Sequence, residues 1–583
     1  MPEHQVGWGR FVLLQTGDAA LEHRVSATSE QFLRTPDFLV GMDGRCSVAT
    51  EGDLTVVVAG DLHEIRGRSG PPTAARALEC VLDLADEAYD RFVGDAVVLT
   101  IRPGRATVFR ELTGARPAHL SRSTGITAAA SDWFDLARLM GGVEPDPHWT
   151  AHLLSGAACA GLSCPDRRVQ LLLPGQLATL QDGRWTQTTV SAWRVRRVSR
   201  RSARSVFTAA LDAALKDRTA SASALGVSLS GGLDSTSVLV SAAVAAASIP
   251  RHAFAIPFTD PEGDERAAQA CVAEAAHAEL HWVDLAGRGP MGRGASAASY
   301  FAELGRHGAP SRVPNWFMLD AVADAAERAG VHDLMGGEDA DSLLGWVGLA
   351  HLSDLLVRGR WIRWWSEATA VRAALTIGYR RLLDISRMWL HRPNTADFVR
   401  PSLLAPDLPV PPCDTRPRAV SRRLPGRRFR EAQQQAGFPA HTSRVHDEAS
   451  RAFLARGLRV SQPLMDRRVM EVAMGLPSEL VVSGGVSKVV LRVSMQGRLP
   501  DDVRLQRTKA VLSAADARAV TVEQRDVVLE GLEAAERHPW FAPEAVRQVR
   551  ERFLAGDDLH TGPRVARVAL WLSWLEQYRA AEG

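Results

Sequence analysis

The sequence predicts two domains of different class: a layered, β-rich α+β domain over residues 1–195, and an α/β domain with a parallel sheet and added helices over residues 205–583. Three observations predict this. Short β-branched runs stopped by Gly and Pro fill the first third of the chain, strand and helix patterns alternate from Leu225 onward, and an Arg/Ser-rich connector at 194–204 separates the two regimes.

Size and composition set the outer bounds. At 583 residues and 46% hydrophobic the chain buries more than one core. Lys plus Arg (69) nearly cancels Asp plus Glu (67), and a net charge of +2 gives no electrostatic reason to expect nucleic acid as a partner. The six cysteines are too sparse for a disulfide framework and lack metal-ligand spacing, as in a reducing cytoplasm. Residues 1–5 lack a signal-peptide pattern, and no uncharged apolar run reaches the ~18 residues of a membrane span. The expectation is a cytoplasmic protein.

In the first domain, Leu54-Thr55-Val56-Val57-Val58-Ala59 ends at Gly60-Asp61 and reads as a strand. Residues 96–101 and 106–110 flank Pro103-Gly104 as a hairpin, with further strands at 125–129 and 169–173. In the second domain an amphipathic helix at 205–216 precedes the strand Leu225-Gly226-Val227-Ser228-Leu229. Ser230-Gly231-Gly232-Leu233-Asp234-Ser235 then opens a helix. Such a loop is an anion cradle: glycines let backbone N–H groups approach phosphate oxygens, hydroxyls add donors, and the helix start supplies partial positive charge. No lysine follows the glycines, which excludes the loop used for γ-phosphate transfer; the six residues resemble the loop of enzymes that break ATP between its α and β phosphates. An ordinary Gly turn with a Ser cap would explain the glycines but not six specified residues between strand and helix. Strand, helix, strand continues through 253–258, 266–278 and 280–283. A further strand, Asp333-Leu334-Met335, runs into Gly336-Gly337-Glu338-Asp339-Ala340-Asp341.

These landmarks resemble the asparagine synthetase B-like family. Phe92-Val93-Gly94-Asp95, Phe109-Arg110-Glu111-Leu112-Thr113-Gly114-Ala115-Arg116-Pro117 and Leu173-Pro174-Gly175 look like the family's glutaminase domain, implying an Ntn-type layered fold. In that family an amino-terminal cysteine frees ammonia from glutamine, and an Asn-Gly pair holds the oxyanion. Here Pro2 and Ala59-Gly60 stand at those places, so the resemblance implies a degenerate glutaminase-like domain acting as scaffold; the alternative is an amidohydrolase with another nucleophile.

For the second domain the resemblance implies an adenine-nucleotide α-hydrolase-like synthetase fold. Leu229, Ser230, Gly231, Gly232, Asp234, Ser235, Gly336 and Gly337 would bind ATP, and Asp234 and Asp341 would share Mg²⁺, as hard oxygens suit a hard cation. Glu338 would face the reacting centre. The family's carboxyl-terminal stretch is matched by Pro463-Leu464-Met465-Asp466-Arg467-Arg468 and by Ser487-Lys488-Val489-Val490-Leu491-Arg492, followed by Arg507-Thr508-Lys509. Lys509 would stabilise the charge at phosphorus and then the tetrahedral oxyanion, with Lys488 as a second catalytic cation. Lys488 and Arg492, four apart, would share a helical face and grip phosphate or pack on the sheet.

Within this chemistry three relatives compete: ammonia-using asparagine synthetases, β-lactam synthetases and lasso peptide cyclases. Aromatic and Arg-rich residues between 358 and 397 (Trp361, Trp364, Trp365, Tyr379, Trp389) and the Pro/Arg-rich stretch 401–430 lie outside a minimal synthetase core. Glu338 stands where β-lactam formers typically carry tyrosine. The chain thus resembles a lasso peptide cyclase, or macrolactam synthetase. That implies ATP-dependent closure of an isopeptide ring in a precursor core peptide, alongside a leader peptidase and a leader-binding protein. A non-catalytic peptide-binding scaffold is the alternative of another class, and it predicts damage to Ser230-Gly231-Gly232, Asp234 or Asp341, all of which are intact.

Overall fold

The computed structural model describes residues 10–582 except 124, 156–162, 259–263, 295, 312–315, 339, 346–348, 391–400, 411–450, 454–455, 507–522 and 558. Pro2, Asp339, Lys509 and most of the Pro/Arg-rich stretch lie outside the described residues.

The first domain stacks two antiparallel six-stranded sheets. One centres on Arg10–Gln15, paired with Phe38–Asp43 on one side and Ala128–Ala130 on the other. The second contains the long strands Leu54–Ile65 and Phe92–Arg102 and the hairpin partner Arg105–Arg110. Alternation sorts the residues into layers. Phe11, Leu13, Val57, Val97 and Leu99 meet between the sheets, whereas Val56, Val58 and Val98 face outward onto Leu78 and Val81 of the helix Ala74–Leu84. On the opposite side Val12 and Leu14 pack against Trp133 and Phe134 of the helix Trp133–Leu139. The result is a helix–sheet–sheet–helix stack, the layered, strand-rich arrangement expected. The strand expected at 125–129 is confined to Ala128–Ala130.

The second domain carries a five-stranded parallel sheet ordered Glu279–Trp282, Arg251–Ala255, Leu225–Leu229, Asp333–Met335, Arg459–Ser461. Its central strand is almost wholly buried, as a strand covered on both faces must be. The first three strands run outward from the centre to one edge; the chain then returns to build the other side. That reversal between Leu225–Leu229 and Asp333–Met335 leaves a crevice at the carboxyl ends of the two strands. The fifth strand, Arg459–Ser461, lacks a sequence signature because only three residues pair.

The carboxyl-terminal helices Arg525–Arg537, Pro543–Ala555 and Thr561–Glu582 join the core of the first domain. Trp571 meets Trp149 edge-on at 5.1 Å and donates its indole N–H to Gly308 O at 2.9 Å. Among the described residues no helix is long and apolar enough to cross a membrane.

Candidate active site

The Ser230-to-Ser235 loop sits at the crevice. Gly231 adopts φ +78°, a left-handed conformation that glycine takes without a Cβ penalty, and the Glu265 side chain packs where a Cβ would project. Ser230 N–H donates to Ser235 Oγ at 3.0 Å, the two hydroxyls are 3.0 Å apart, and Gly232 N–H reaches Ser230 Oγ at 3.4 Å. The helix Leu233–Ala245 starts at Gly232 with no side-chain cap, so its first amides are not satisfied by a capping oxygen. An uncapped helix start behind a left-handed glycine suits an anion, and the donor set fits a nucleotide phosphate. The hydroxyls of Thr236 and Ser237 do not serve there: both are fully buried and donate back to Gly232 O and Leu233 O.

The second loop closes on the first. A Cβ on Gly337 would lie 2.5 Å from Ser235 N and 2.7 Å from Asp234 C, and one on Gly336 would lie 2.6 Å from Gln462 Oε1. Gly337 therefore permits close approach of backbone, and Gly336 close approach of the Gln462 side chain. Gln462, which the sequence reading missed, follows the fifth strand and accepts the Glu338 N–H at 3.1 Å. It orients the loop that carries the exposed Glu338. No local pattern announces it, because its partner is 124 residues away.

Asp234, in the first turn of its helix, and Asp341, in the short helix Ala340–Leu344, converge on one cation. The Lys488 ammonium pairs with Asp234 and stands 2.7 Å from Asp341 Oδ1. Lys488 is 6% exposed, and its N–H donates to Leu344 O at 3.0 Å, which ties it to the helix bearing Asp341. It closes the hairpin Val482–Ser483/Val486–Ser487 with φ +59°, a conformation uncommon for a residue with a Cβ and enriched at functional sites. The expectation that Lys488 and Arg492 share a helical face does not hold. Lys488 precedes the helix Val489–Ser494, and Arg492 donates to Ser487 O and Arg504 O.

Two hard carboxylates within reach of one cation fit Mg²⁺ as well as an ammonium. Leu229, 2% exposed, ends the central strand directly before the loop.

The pocket around Ala59-Gly60 has a different character. Asp95 pairs with Arg218 at 2.7 Å and lies 3.5 Å from His63 Nε2, while Asp61 pairs with Arg459 at 3.1 Å and Arg45 at 3.3 Å. Arg218 and Arg459 belong to the second domain, so the acids beside Gly60 are bound across the domain interface. Arg116, fully buried, donates to Asp95 O at 3.0 Å; desolvation, partly offset by Asp61 and Asp95, lowers its pKa to about 9. Cys46, opposite Ala59 in the sheet, is pushed by burial up to about 12, which favours the protonated thiol at neutral pH.

The aromatic segment forms a helical layer beside the Lys488 hairpin. Glu367 of the helix Trp361–Leu375 accepts from Ser483 Oγ at 3.0 Å and from Gly484 N at 2.8 Å. Trp364 is buried and donates to Ser386 Oγ at 3.2 Å, whereas Trp361, Ile362 and Trp365 are exposed. Trp365 stacks on Tyr379 at 4.9 Å.

A parallel sheet with a Gly-rich anion loop at its topological switch point, faced by two carboxylates and a lysine, defines a nucleotide-binding α/β domain. The chain belongs to the asparagine synthase family, a family of ATP-dependent amide-forming enzymes, whose model matches residues 207–576. No curated protein matches the sequence. Among solved structures, the chain is similar to a glutamine phosphoribosylpyrophosphate (PRPP) amidotransferase from B. subtilis complexed with ADP and GMP, at 11% identity over 43% of this chain and 60% of that one, with a TM-score of 0.21. It is also similar to a structure described as the allosteric regulatory enzyme of purine biosynthesis, at 12% identity, the same coverage and the same TM-score of 0.21. The match thus spans 60% of either relative, and likeness at that TM-score carries no argument about fold or activity.

Proposed function

We propose that the protein is an ATP-dependent macrolactam synthetase that closes an isopeptide ring in a precursor core peptide. The observation that carries this reading is the convergence of Asp234, Asp341 and Lys488 at the mouth of the uncapped Ser-Gly-Gly loop. Joining a carboxylate to an amine in water is uphill, so the carboxylate oxygen must become part of a leaving group. In the reaction proposed, an Asp or Glu side-chain oxygen of the peptide bonds to the α-phosphorus of ATP as the α–β bridging bond breaks, releasing pyrophosphate. The peptide's α-amine then bonds to the activated carbon, AMP departs, and the amine gives up a proton.

The loop amides would hold the phosphates, Asp234 and Asp341 would hold Mg²⁺, which supplies neutralising charge, and Lys488 would turn from the aspartates toward the developing negative charge. Lys509 keeps the role the family resemblance implies. Glu338, exposed beside the loop, is the candidate to take the amine proton.

Two observations support an amine already present on the substrate over ammonia from glutamine. The acids around Gly60 are engaged with Arg218 and Arg459, and burial favours the protonated form of the thiol opposite Ala59. The exposed Trp361, Ile362 and Trp365, on the helix whose Glu367 meets the hairpin before Lys488, offer apolar surface suited to a peptide.

The test is pyrophosphate release from Mg-ATP with a leaderless peptide carrying a free amino terminus and an internal Asp or Glu, compared with aspartate plus ammonia. Peptide-dependent release with loss of one water from the peptide mass supports the proposal. Release only with aspartate and ammonia replaces it with a small-molecule synthetase.

A further inference from the structure

At the opposite end of the parallel sheet from the nucleotide loops, three side chains converge that the amide chemistry does not use. Glu279–Trp282 is the edge strand and pairs in parallel with Arg251–Ala255, His252 beside Glu279 and Phe254 beside His281. Side chains alternate along a strand, so these four share one face. His252 Nδ1 and His281 Nε2 are 3.0 Å apart. The Glu279 carboxylate presents Oε2 at 3.6 Å from His252 Nδ1 and Oε1 at 3.7 Å from His281 Nε2.

The rings are held in place. They stack on each other at 5.2 Å between centroids, and Phe254 backs His281 at 4.9 Å with an interplanar angle of 17°. Side-chain exposure is 15% for His252, 25% for His281 and 67% for Glu279, so the imidazoles are walled in and the carboxylate faces water.

Ligand atoms around a tetrahedral ion at ~2.0–2.1 Å stand about 3.3 Å from one another. The present separations of 3.0, 3.6 and 3.7 Å bracket that value. Desolvation, with the neighbouring His281, lowers the pKa of His252 and favours the neutral ring that a metal requires.

We propose that His252, Glu279 and His281 form a binding site for a divalent transition-metal ion, with zinc the ion its donors suit, which clips the edge strand to its neighbour. Two imidazoles and one carboxylate select zinc, copper or nickel over magnesium, which prefers oxygen donors throughout. Water would complete the shell on the exposed side. Because Asp234 and Asp341 lie beyond the carboxyl ends of the strands and His252 and Glu279 begin theirs, the two sites are separate.

The full-length protein, stripped with EDTA and kept in excess Mg²⁺ to saturate all-oxygen sites, is titrated with Zn²⁺ by calorimetry and followed by thermal unfolding. The expected result is one zinc per chain and a Tm that rises with zinc concentration. Both responses should vanish in His252→Ala and in His281→Gln, whose Tm in EDTA stays that of the wild type. Absence of stoichiometric binding in the wild type, or equal binding in a folded variant, overturns the proposal. A readout that needs no variant is the electron paramagnetic resonance spectrum of the Cu²⁺-loaded wild type. Splitting from two imidazole nitrogens supports the site; an all-oxygen or sulfur-ligated signal refutes it.

Discussion

Replacing Arg218 with methionine removes a buried cation that joins the two domains. Its guanidinium is 2% exposed and pairs with Asp95 of the first domain at 2.7 Å and Asp466 of the second at 2.6 Å. Asp466 retains Arg468, which donates to both of its oxygens. Among the described residues Asp95 keeps the 3.5 Å contact to His63 and the field of Arg116. Breaking a buried pair by removing one partner costs about 3–5 kcal/mol, because the surviving charge is left without compensation. At 1.36 kcal/mol per decade this corresponds to a roughly 150- to 5,000-fold rise in the population of states in which the interface opens. Native-state hydrogen exchange over residues 92–97 and 211–219 reads that ratio.

The pH dependence carries a sign. Burial raises the pKa values of Asp95 and Asp466, but the charge of Arg218, with the other partners, outweighs it and holds both well below the usual carboxylate range. Folded pKa values below the unfolded value of about 3.9 mean that the wild-type contribution is complete above that value and fades as pH falls through the folded ones. Without Arg218 the burial effect dominates at Asp95 and its pKa rises. The deficit of the variant is then largest at neutral pH and shrinks as acid protonates Asp95. A deficit below about 1 kcal/mol, or one that does not shrink as acid protonates Asp95, would refute the account of the interface as held by buried ion pairs.

Three further outcomes follow from the site and the first domain. Lys488→Met is expected to cut pyrophosphate release by about 10²–10³-fold, measured under saturating Mg-ATP and peptide, while circular dichroism stays unchanged. Gly337→Ala places a methyl 2.5 Å from Ser235 N, where backbone must yield; displacement of the loop is expected to lower turnover on the order of 10²-fold with the fold retained. Burial, partly offset by Arg467 and Thr113, pushes Glu111 up to about 7, so wild-type stability falls as pH rises from the ordinary glutamate value of 4.5 through about 7. Glu111→Gln is expected to flatten that slope and raise Tm at pH 8, read by thermal unfolding across the pH range.

The sequence by itself determined the parts whose chemistry is local. Six consecutive residues between a buried strand and a helix specify an anion loop, because strand end, left-handed glycine and helix start are neighbours along the chain. The Gly336-Gly337 pair and the strand Asp333–Met335 were legible for the same reason, as were the β-branched runs that form the long strands of the first domain.

Tertiary structure alone decided what depends on residues far apart in the chain. Lys488 meets Asp234 across 254 positions and Arg459 meets Asp61 across 398. Gln462 sits at the crevice only because a three-residue strand pairs beside Asp333–Met335. His252, Glu279 and His281 are unremarkable in sequence and become a cluster only through the parallel register of two adjacent strands. Parallel pairing joins segments separated by a whole crossover, so neither spacing nor periodicity records which side chains will face one another.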